Sequence, residues 1–203
     1  MPRIRAASID EHKALTRRAL LAAAKDLIDE VGTAEISLGE VALAAGVGRT
    51  TFYDYFSDRD DVIASLVEEE LPGVLNDVIN SVPKNLGTAD RLIELAIKTV
   101  EFVATDRVYG VILHQEVGRM GLEAQDRIKD SHEELSSEMA GLYMRGVREG
   151  IFAEMPPMLA GRLIQDTIMS AARVLIDTGS DPKNVESITA GLKGFLIGGL
   201  SPR

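Results

Sequence analysis

The chain has 203 residues, of which 45% are hydrophobic and 27% charged, and it contains no cysteine. This composition is typical of a folded globular protein, and the length allows one large domain or a small domain joined to a larger one. The lack of cysteine excludes disulfides, thiol nucleophiles and cysteine-ligated zinc or iron–sulfur sites. No apolar stretch has the length of a signal peptide behind the first basic residues, and none approaches the roughly 18 residues of a membrane span. We therefore expect a cytoplasmic protein without a membrane partner.

Charge is unevenly distributed along the chain. The formal net charge of −10 argues, by itself, against a nucleic-acid-binding protein. However, residues 1–25 hold six basic and two acidic side chains, whereas residues 61–203 hold 14 basic and 22 acidic ones. A basic front end can lie against phosphate while an acidic body is kept away from the duplex. Accidental clustering on a solvated surface explains the charge pattern equally well.

Helix signals recur along the chain and strand signals do not, so the sequence predicts an all-α fold of about nine helices. The first is expected to open at Ser8, in a capping box with Glu11, and to end at Gly32. The later helices are expected over the approximate ranges 38–45, 49–56, 58–80, 88–104, 107–117, 122–149, 157–179 and 182–199.

Two capping pairs and one proline refine these boundaries. Ser37 with Glu40 is expected to cap the second helix, and Ser57 with Asp60 is expected to begin the fourth. Pro72, followed by a glycine, is expected to kink or end that fourth helix because proline lacks the backbone N–H.

The segment Ser37–Phe56 has the sequence form of a helix-turn-helix, two short helices joined by a glycine-containing turn. Gly46 stands where that turn needs a left-handed backbone. In the second helix, Phe52 and Phe56 are expected to face inward. The residues left for the outer face are hydrogen-bond donors: Arg49, Thr50, Thr51, Tyr53 and Tyr55.

An arginine and two threonines at a helix tip suit the base edges of the major groove, where arginine reaches guanine and a threonine methyl packs on thymine. The alternative is a small helical hairpin inside a core. Outward tyrosines argue against that alternative, because a core hairpin does not require them.

Several short motifs occur close together in one stretch, Arg18–Val62. They are Ala23-Ala24, Gly32, Val41-Ala42, Ala45-Gly46-Val47, Thr50-Thr51-Phe52-Tyr53 and Tyr55-Phe56. In this stretch the chain resembles the DNA-binding domain of the tetracycline-repressor (TetR) family of bacterial transcription regulators. The family often has a phosphate-touching lysine where this chain has Arg59, which three aspartates surround. Arginine can make the same contact.

The resemblance implies a DNA-binding domain over residues 1–57, with the family match extending to about residue 72, and an effector-binding and dimerisation domain over residues 58–203. It implies a sequence-specific regulator, most simply a repressor that a small-molecule effector releases from a palindromic double-stranded DNA operator. The base-reading residues it implies are Arg49, Thr50 and Thr51, and the phosphate contacts are Ser37, Tyr53, Tyr55 and Arg59. A minor-groove arm at Arg3 and Arg5 is an option, with a disordered basic terminus as its alternative.

The family also implies a homodimer built by the last two helices, and small residues support this independently. The expected interface residues are Leu163, Thr167 and Ala171 on one helix and Ala190, Gly194 and Gly198 on the other. A helical glycine costs about 1 kcal/mol in propensity, so close approach by a partner helix would explain its presence. Packing of these two helices within one chain is the alternative.

Candidate ligand contacts lie on the central helices: Phe102, Tyr109, His114, His132, Met139 and Tyr143. Simple core packing is the alternative for most of them, and each histidine on an apolar seam must find a partner. No histidine pair has the i, i+4 spacing and no HExxH motif occurs, so we expect no metal and no cofactor.

Two other classes of function remain open at this stage. An enzyme is one, although the chain has no G-x-S-x-G, P-loop or G-x-G-x-x-G motif. The other is a helical protein–protein adaptor whose helix-turn-helix is vestigial.

Overall fold

The computed structural model describes residues 6–31, 35–179 and 181–202. These residues form ten α-helices and no strand, so the all-α prediction is confirmed with one helix more than expected. The helices are α1 Ala6–Val31, α2 Leu38–Ala44, α3 Arg49–Phe52, α4 Arg59–Ser81, α5 Thr88–Thr105, α6 Arg107–Val111, α7 Leu122–Asp130, α8 Glu133–Arg148, α9 Pro157–Thr178 and α10 Pro182–Leu200. None of the described helices is long and apolar enough to cross a membrane.

The contacts divide the chain into two compact units. The first unit contains the residues up to Glu69 together with Val111–Ile128, and the second contains Glu70–Gly110 and the residues from Lys129 onward. This division falls inside α4. The domain boundary expected after Ser57 follows from the family resemblance and stays a prediction.

The first unit is built around the apolar face of α1. Leu20, Ala24 and Ile28 recur at helical spacing and are fully buried, as are Val41 of α2 and Phe52 of α3. In the second unit, α5 lies against α8, α9 and α10. Each unit therefore has its own core, as a folded domain requires.

One helix begins as the sequence predicts, and two begin differently. At α2 the capping box is present: Glu40 N–H donates to Ser37 Oγ (3.1 Å), and Ser37 N–H donates to Glu40 Oε2 (3.2 Å). At α4 the predicted pair was wrong by one residue, because Asp61 N–H donates to Asp58 Oδ1 (2.9 Å) and Ser57 N–H donates to Asp61 Oδ2 (2.9 Å). An aspartate accepts such bonds as readily as a serine, so spacing alone did not distinguish the pairs.

The first helix begins at Ala6, two residues before the predicted start. Its expected end at Gly32 and the basic pair Arg3 and Arg5 lie outside the described residues.

Pro72 does not end the fourth helix: α4 continues through it to Ser81. The helix predicted over 107–117 changes its winding, since α6 is followed by a π-helical turn over Ile112–Glu116 and a 3₁₀ turn over Val117–Arg119.

The single helix predicted over 122–149 was wrong, because the structure breaks it into α7 and α8. His132 has φ −98° and ψ 1°, and its N–H donates to Lys129 O in a turn (3.1 Å). Its carbonyl then accepts from Ser136 N–H (3.0 Å) as α8 begins. The apolar pattern passes through this break because Ile128 and Leu135, seven residues apart, are both buried.

Gly146 of α8 packs closely against an aromatic ring. A Cβ at this position would overlap the ring of Phe152. That ring is stacked on Tyr143, with 6.1 Å between centroids and 11° between planes. Tyr143 is itself held, because its hydroxyl donates to Ala153 O (3.0 Å) and accepts from Met155 N–H (3.1 Å). The aromatic pair therefore has little room to move.

We expect Gly146→Ala to destabilise the fold by about 1–3 kcal/mol, the usual cost of overpacking. The free energy of unfolding in urea measures the effect. Gly141→Ala on the same helix is the matched control, because a Cβ there meets nothing within 4 Å. Alanine should then stabilise the helix by about 1 kcal/mol or less. Equal stability of the two variants would contradict the packing described here.

Candidate nucleic-acid interface and effector region

The turn between α2 and α3 has the predicted geometry. Gly46 has φ +70°, in the left-handed region that glycine adopts without strain. Val47 N–H donates to Ala42 O (2.9 Å), which closes the turn after α2. The two short helices are therefore held at a fixed angle, as a helix-turn-helix needs.

The second of these helices presents two distinct faces. Phe52 and Phe56 are fully buried, which confirms the predicted inner face. Arg49 and Thr50 are exposed, Tyr53 is 49% exposed, and Thr51 and Tyr55 are half-buried. The predicted donors of α3 and of the residues just after it are therefore exposed or half-buried, whereas the two phenylalanines are not accessible.

The recognition helix is shorter than predicted. α3 ends at Phe52, and residues 53–55 follow as turns in which Asp54 N–H donates to Thr51 O (3.2 Å) and Tyr55 N–H to Phe52 O (3.0 Å). The cap of α4 then follows at Asp58, within a few residues. Tyr55 consequently lies in a turn after the helix.

An arginine from α1 packs against the buried aromatic ring that follows the recognition helix. The guanidinium of Arg17 lies 5.1 Å from the centre of the Phe56 ring and forms an ion pair with Glu69. A cation over an aromatic face stabilises by about 0.5–1 kcal/mol when partly exposed. The sequence prediction missed this contact, since the three residues are far apart in the chain.

The predicted phosphate contacts differ in their surroundings. Ser37 is exposed, and a hydroxyl that accepts the capping bond still carries a proton to donate. Arg59 is engaged within the protein: it forms an ion pair with Glu116, whose side chain is only 2% exposed. Sequence analysis did not identify Glu116, because it is 57 residues away and lies in no recognised motif.

A second arginine joins α7 to α4 in the same unit. Arg127 Nη1 donates to Asp61 Oδ1 (2.8 Å), and its Nε and Nη2 donate to the two carboxylate oxygens of Glu68 (2.9 and 2.6 Å). Nη2 also donates to Ser65 Oγ (2.8 Å). Bidentate pairs of this kind fix geometry as well as charge.

These bonds change the acidity of Asp61. Burial by itself raises the pKa of Asp61, but the bonds from Ser57 and Arg127 outweigh burial and hold the pKa below its ordinary value. The Glu68 hydrogen bond is the largest contribution that raises the pKa of Arg127. Both groups are therefore charged across the physiological pH range.

The six candidate ligand contacts are divided between the two units. His114 belongs to the first unit and the other five to the second. Tyr143 and Met139 are buried in the core, and the Tyr143 hydroxyl is already occupied by backbone groups. His132 is half-buried at the start of α8. Core packing accounts for Tyr143 in full.

Tyr109 has the most distinctive surroundings of the six. It is fully buried, its ring centre lies 5.7 Å from that of Phe102, and its hydroxyl donates to Glu70 Oε2 (3.3 Å). Burial is the main reason that the pKa of Tyr109 is raised, and the nearby carboxylates of Glu70 and Asp106 raise it further. The phenol is therefore neutral and acts as a donor.

The second unit also carries an open cleft of about 550 Å³ that the sequence did not predict. None of the six candidates lines it. Its lining is largely acidic or hydroxylic: Pro72, Ile79, Asp130, Ser131, Glu133, Glu134, Ser137 and Glu138. Among the described residues, no group of three or more His, Asp or Glu side chains could hold a metal ion.

The small residues of α10 point away from their own chain. A Cβ at Gly194 or at Gly198 would meet nothing within 4 Å, whereas Leu192, Leu196 and Leu200 face the core. Packing within one chain, the alternative weighed from the sequence, therefore does not explain the two glycines. Exposed apolar side chains stand on these last two helices, including Phe195 (66% exposed), Leu163, Val174 and Ile197.

Sequence profiles of known families match both parts of the chain. The profile described as "Bacterial regulatory proteins, tetR family" matches residues 20–66. The profile described as "Tetracyclin repressor-like, C-terminal domain" matches residues 85–183. The first match contains the capping box, the Gly46 turn and the recognition helix.

Individual proteins show the same likeness. A fatty acid metabolism regulator protein of Bacillus subtilis is 23% identical over 150 residues, which cover 73% of this chain and 77% of that protein. The solved structure of the fatty acid degradation regulator FadR from Bacillus halodurans is 25% identical, with a TM-score of 0.72, covering 92% of this chain and 97% of that one.

A second structure, FadR from Bacillus subtilis in complex with stearoyl-CoA, has a TM-score of 0.74 at 20% identity, covering 90% of this chain and 98% of that one. At this identity the likeness bears on the fold alone. Together with a helix-turn-helix whose turn and cap have the expected geometry, the two profile matches identify the family. The chain belongs to the tetR family of bacterial regulatory proteins.

Proposed function

We propose that the chain is a transcriptional repressor that binds a palindromic operator as a homodimer in the cytoplasm and is released by a small-molecule effector. The observation that carries this proposal is the accessible donor face of α3, with Arg49 and Thr50 exposed on a helix that buried Phe52 anchors. Such a helix fits the major groove, where arginine and threonine distinguish base pairs.

The test of DNA binding is an electrophoretic mobility shift of the purified protein with the DNA upstream of its own gene, followed by footprinting. We expect a protected site with two-fold symmetry, its half-sites separated by steps of about 34–36 Å along the duplex. An enzyme, or an adaptor with a vestigial helix-turn-helix, would show no preference for such a site over random DNA.

The roles of the individual residues can be separated by substitution. We expect Arg49→Ala to weaken operator binding by about 1–3 kcal/mol and to relax specificity at one base position, because a base contact is lost. Tyr53→Ala should weaken binding to operator and random DNA alike, because a phosphate contact carries no sequence information. Fluorescence anisotropy with operator and scrambled duplexes measures both effects.

Arg148→Ala is the matched control, since Arg148 is an exposed arginine in the last turn of α8. It should bind the operator as the wild type does. Equal losses on every sequence for Arg49→Ala would contradict its assignment as a base reader.

The homodimer is proposed to form through α9 and α10, with Leu163, Thr167, Ala171, Ala190, Gly194 and Gly198 at the interface. Two features support this arrangement: the open space beside Gly194 and Gly198, and the exposed apolar side chains around them. Monomeric proteins rarely expose large contiguous apolar patches, and such patches mark interfaces. A two-fold dimer would also match a palindromic operator.

The effector is proposed to be a small, mostly apolar molecule that enters near Phe102 and Tyr109. The Tyr109 hydroxyl and Glu70 would give it a polar anchor in otherwise apolar surroundings. Stearoyl-CoA is the first probe to use, because the Bacillus subtilis neighbour is known in complex with it. The phosphates of such a probe would be repelled by the open cleft, where Glu133, Glu134 and two further carboxylates lie.

A further inference from the structure

Glu116 is a buried acid that neither the proposed DNA face nor the proposed effector region uses. It stands at the end of the π-helical turn Ile112–Glu116 and is 2% exposed. Its Oε2 accepts a hydrogen bond from Nη2 of Arg59, and its Oε1 lies 3.7 Å from Nη1 of Arg119. One buried carboxylate thus faces two arginines of very different exposure, 30% for Arg59 and 70% for Arg119.

Arg59 lies at the first position of α4, where the resemblance implies a phosphate contact. A carboxylate and a phosphate bind a guanidinium through the same kind of charge-assisted hydrogen bond. Arg59 cannot leave Glu116 freely, because an unpaired buried charge is strongly destabilising. Glu116 and a DNA phosphate are therefore competitors for the same side chain.

Arg119 makes an exchange of partners feasible. It is three residues beyond Glu116, and its Nη1 already lies near Oε1 of that carboxylate. A small movement would let Arg119 neutralise Glu116 while Arg59 turns towards DNA.

The chain around Glu116 has contacts with α4 and a helical winding that favour such an exchange. Asp60 Oδ2 accepts a bond from Gly121 N–H (2.8 Å), and Arg127 binds Asp61 and Glu68, so the chain around Glu116 is tied to α4 at the two residues that follow Arg59 and again at Glu68. The π-helical turn holds more residues per turn than an α-helix, and rewinding it would redirect the Glu116 side chain. Such turns are often found at functional sites.

We propose that Glu116 is an internal phosphate mimic that holds Arg59 away from DNA, and that full operator affinity requires Arg119 to replace Arg59 at this carboxylate. The proposal rests on the proposed function as an operator-binding regulator. It adds an autoinhibitory contact that lowers affinity for all DNA.

The decisive variant is Glu116→Gln, which keeps the shape of the side chain and removes its charge. We expect operator binding to become about ten-fold tighter at low salt, because Arg59 no longer has to leave a carboxylate to reach DNA. The slope of log K against log salt should stay the same, because Arg59 contacts one phosphate in both complexes. Fluorescence anisotropy over a salt series measures both quantities.

Two controls separate this mechanism from a general loss of negative charge. Glu123→Gln makes the same charge change on exposed α7 surface in the same unit and should leave the operator affinity unchanged. In an Arg59→Ala background, Glu116→Gln should have no effect on operator binding. Unchanged or weaker binding by Glu116→Gln alone, or the same gain in the Arg59→Ala background, would overturn the proposal.

A measurement on the wild-type protein covers the case in which Glu116→Gln does not fold. The side-chain ¹⁵N signals of Arg59, assigned through the Arg59→Lys variant, should shift when operator is added, because the guanidinium changes partner. Signals that stay unchanged in the operator complex would overturn the proposal that Glu116 is a phosphate mimic. Failure of the proposed function looks different: the wild-type protein would bind no operator, and both proposals would fall together.

Discussion

Replacing Gly194 by leucine is expected to leave each chain folded and to convert the dimer into monomers. A Cβ at Gly194 meets nothing within 4 Å in its own chain, so the larger side chain has room in the isolated protomer. Leucine also has a helix propensity about 1 kcal/mol better than that of glycine. The same side chain in a two-helix contact would keep the partner backbones apart, and overpacking costs roughly 1–3 kcal/mol or more at each copy.

Loss of the dimer should also weaken DNA binding strongly. A dimer engages two half-sites at once, and linked binding exceeds single-site binding by about 10²–10⁴-fold. We therefore expect operator affinity to fall by at least about a hundred-fold. Analytical ultracentrifugation should show monomer at concentrations where the wild type is dimeric, and circular dichroism should show an unchanged helix content.

Gly141→Leu is the matched control, because Gly141 is also an exposed helical glycine with open space beside it. It lies on α8, outside the proposed interface, and should remain dimeric. A Gly194→Leu protein that stays fully dimeric with unchanged operator binding would show that the interface lies elsewhere.

Local features of the fold could be predicted from the sequence because local physics decides them. The Ser37–Glu40 capping box and the left-handed Gly46 are set by residues within four positions of one another. The burial of both Phe52 and Phe56 follows from their i, i+4 spacing. These elements are also the ones that carry the family resemblance, so the DNA-binding unit was the best predicted part.

Contacts between distant residues could not be predicted in the same way. Arg59 and Glu116 are 57 residues apart, and Arg127 and Asp61 are 66 apart. No periodicity links such positions, and every exposed helix of this acidic chain offers similar charges. The arginine that resemblance assigns to a phosphate is therefore found in an ion pair that only the folded chain defines.

The break between α7 and α8 escaped prediction for a different reason. Hydrophobic spacing reports which residues are buried, and a helix that stops and restarts in register keeps that spacing. Gly146 shows a different limit: only the structure shows the Phe152 ring that leaves no room for a side chain at this position.

The effector should bind more weakly to the operator complex than to the free protein, and α4 is the element through which we expect this coupling. α4 follows the recognition helix in the chain and continues without interruption to Ser81, through the division between the two units. Pro72 removes one N–H from its hydrogen-bond ladder, so the helix deforms most easily there. An effector near Tyr109 and Glu70 would act on α4 two residues before that proline.

The duplex fixes the separation of the two half-sites at about 34–36 Å or a multiple of it, so a shift of α4 by a few ångströms would lose the contacts of one half-site. Linkage then requires a reciprocal effect. Operator lowers the affinity of the protein for effector by the same factor by which effector lowers its affinity for operator, typically about 5–150-fold. Calorimetric titration of stearoyl-CoA into the free protein and into its operator complex measures that factor. A scrambled duplex of equal length is the control and should leave the affinity at the free value. Equal affinities in all three titrations, for a probe that binds the free protein, would refute release by this ligand.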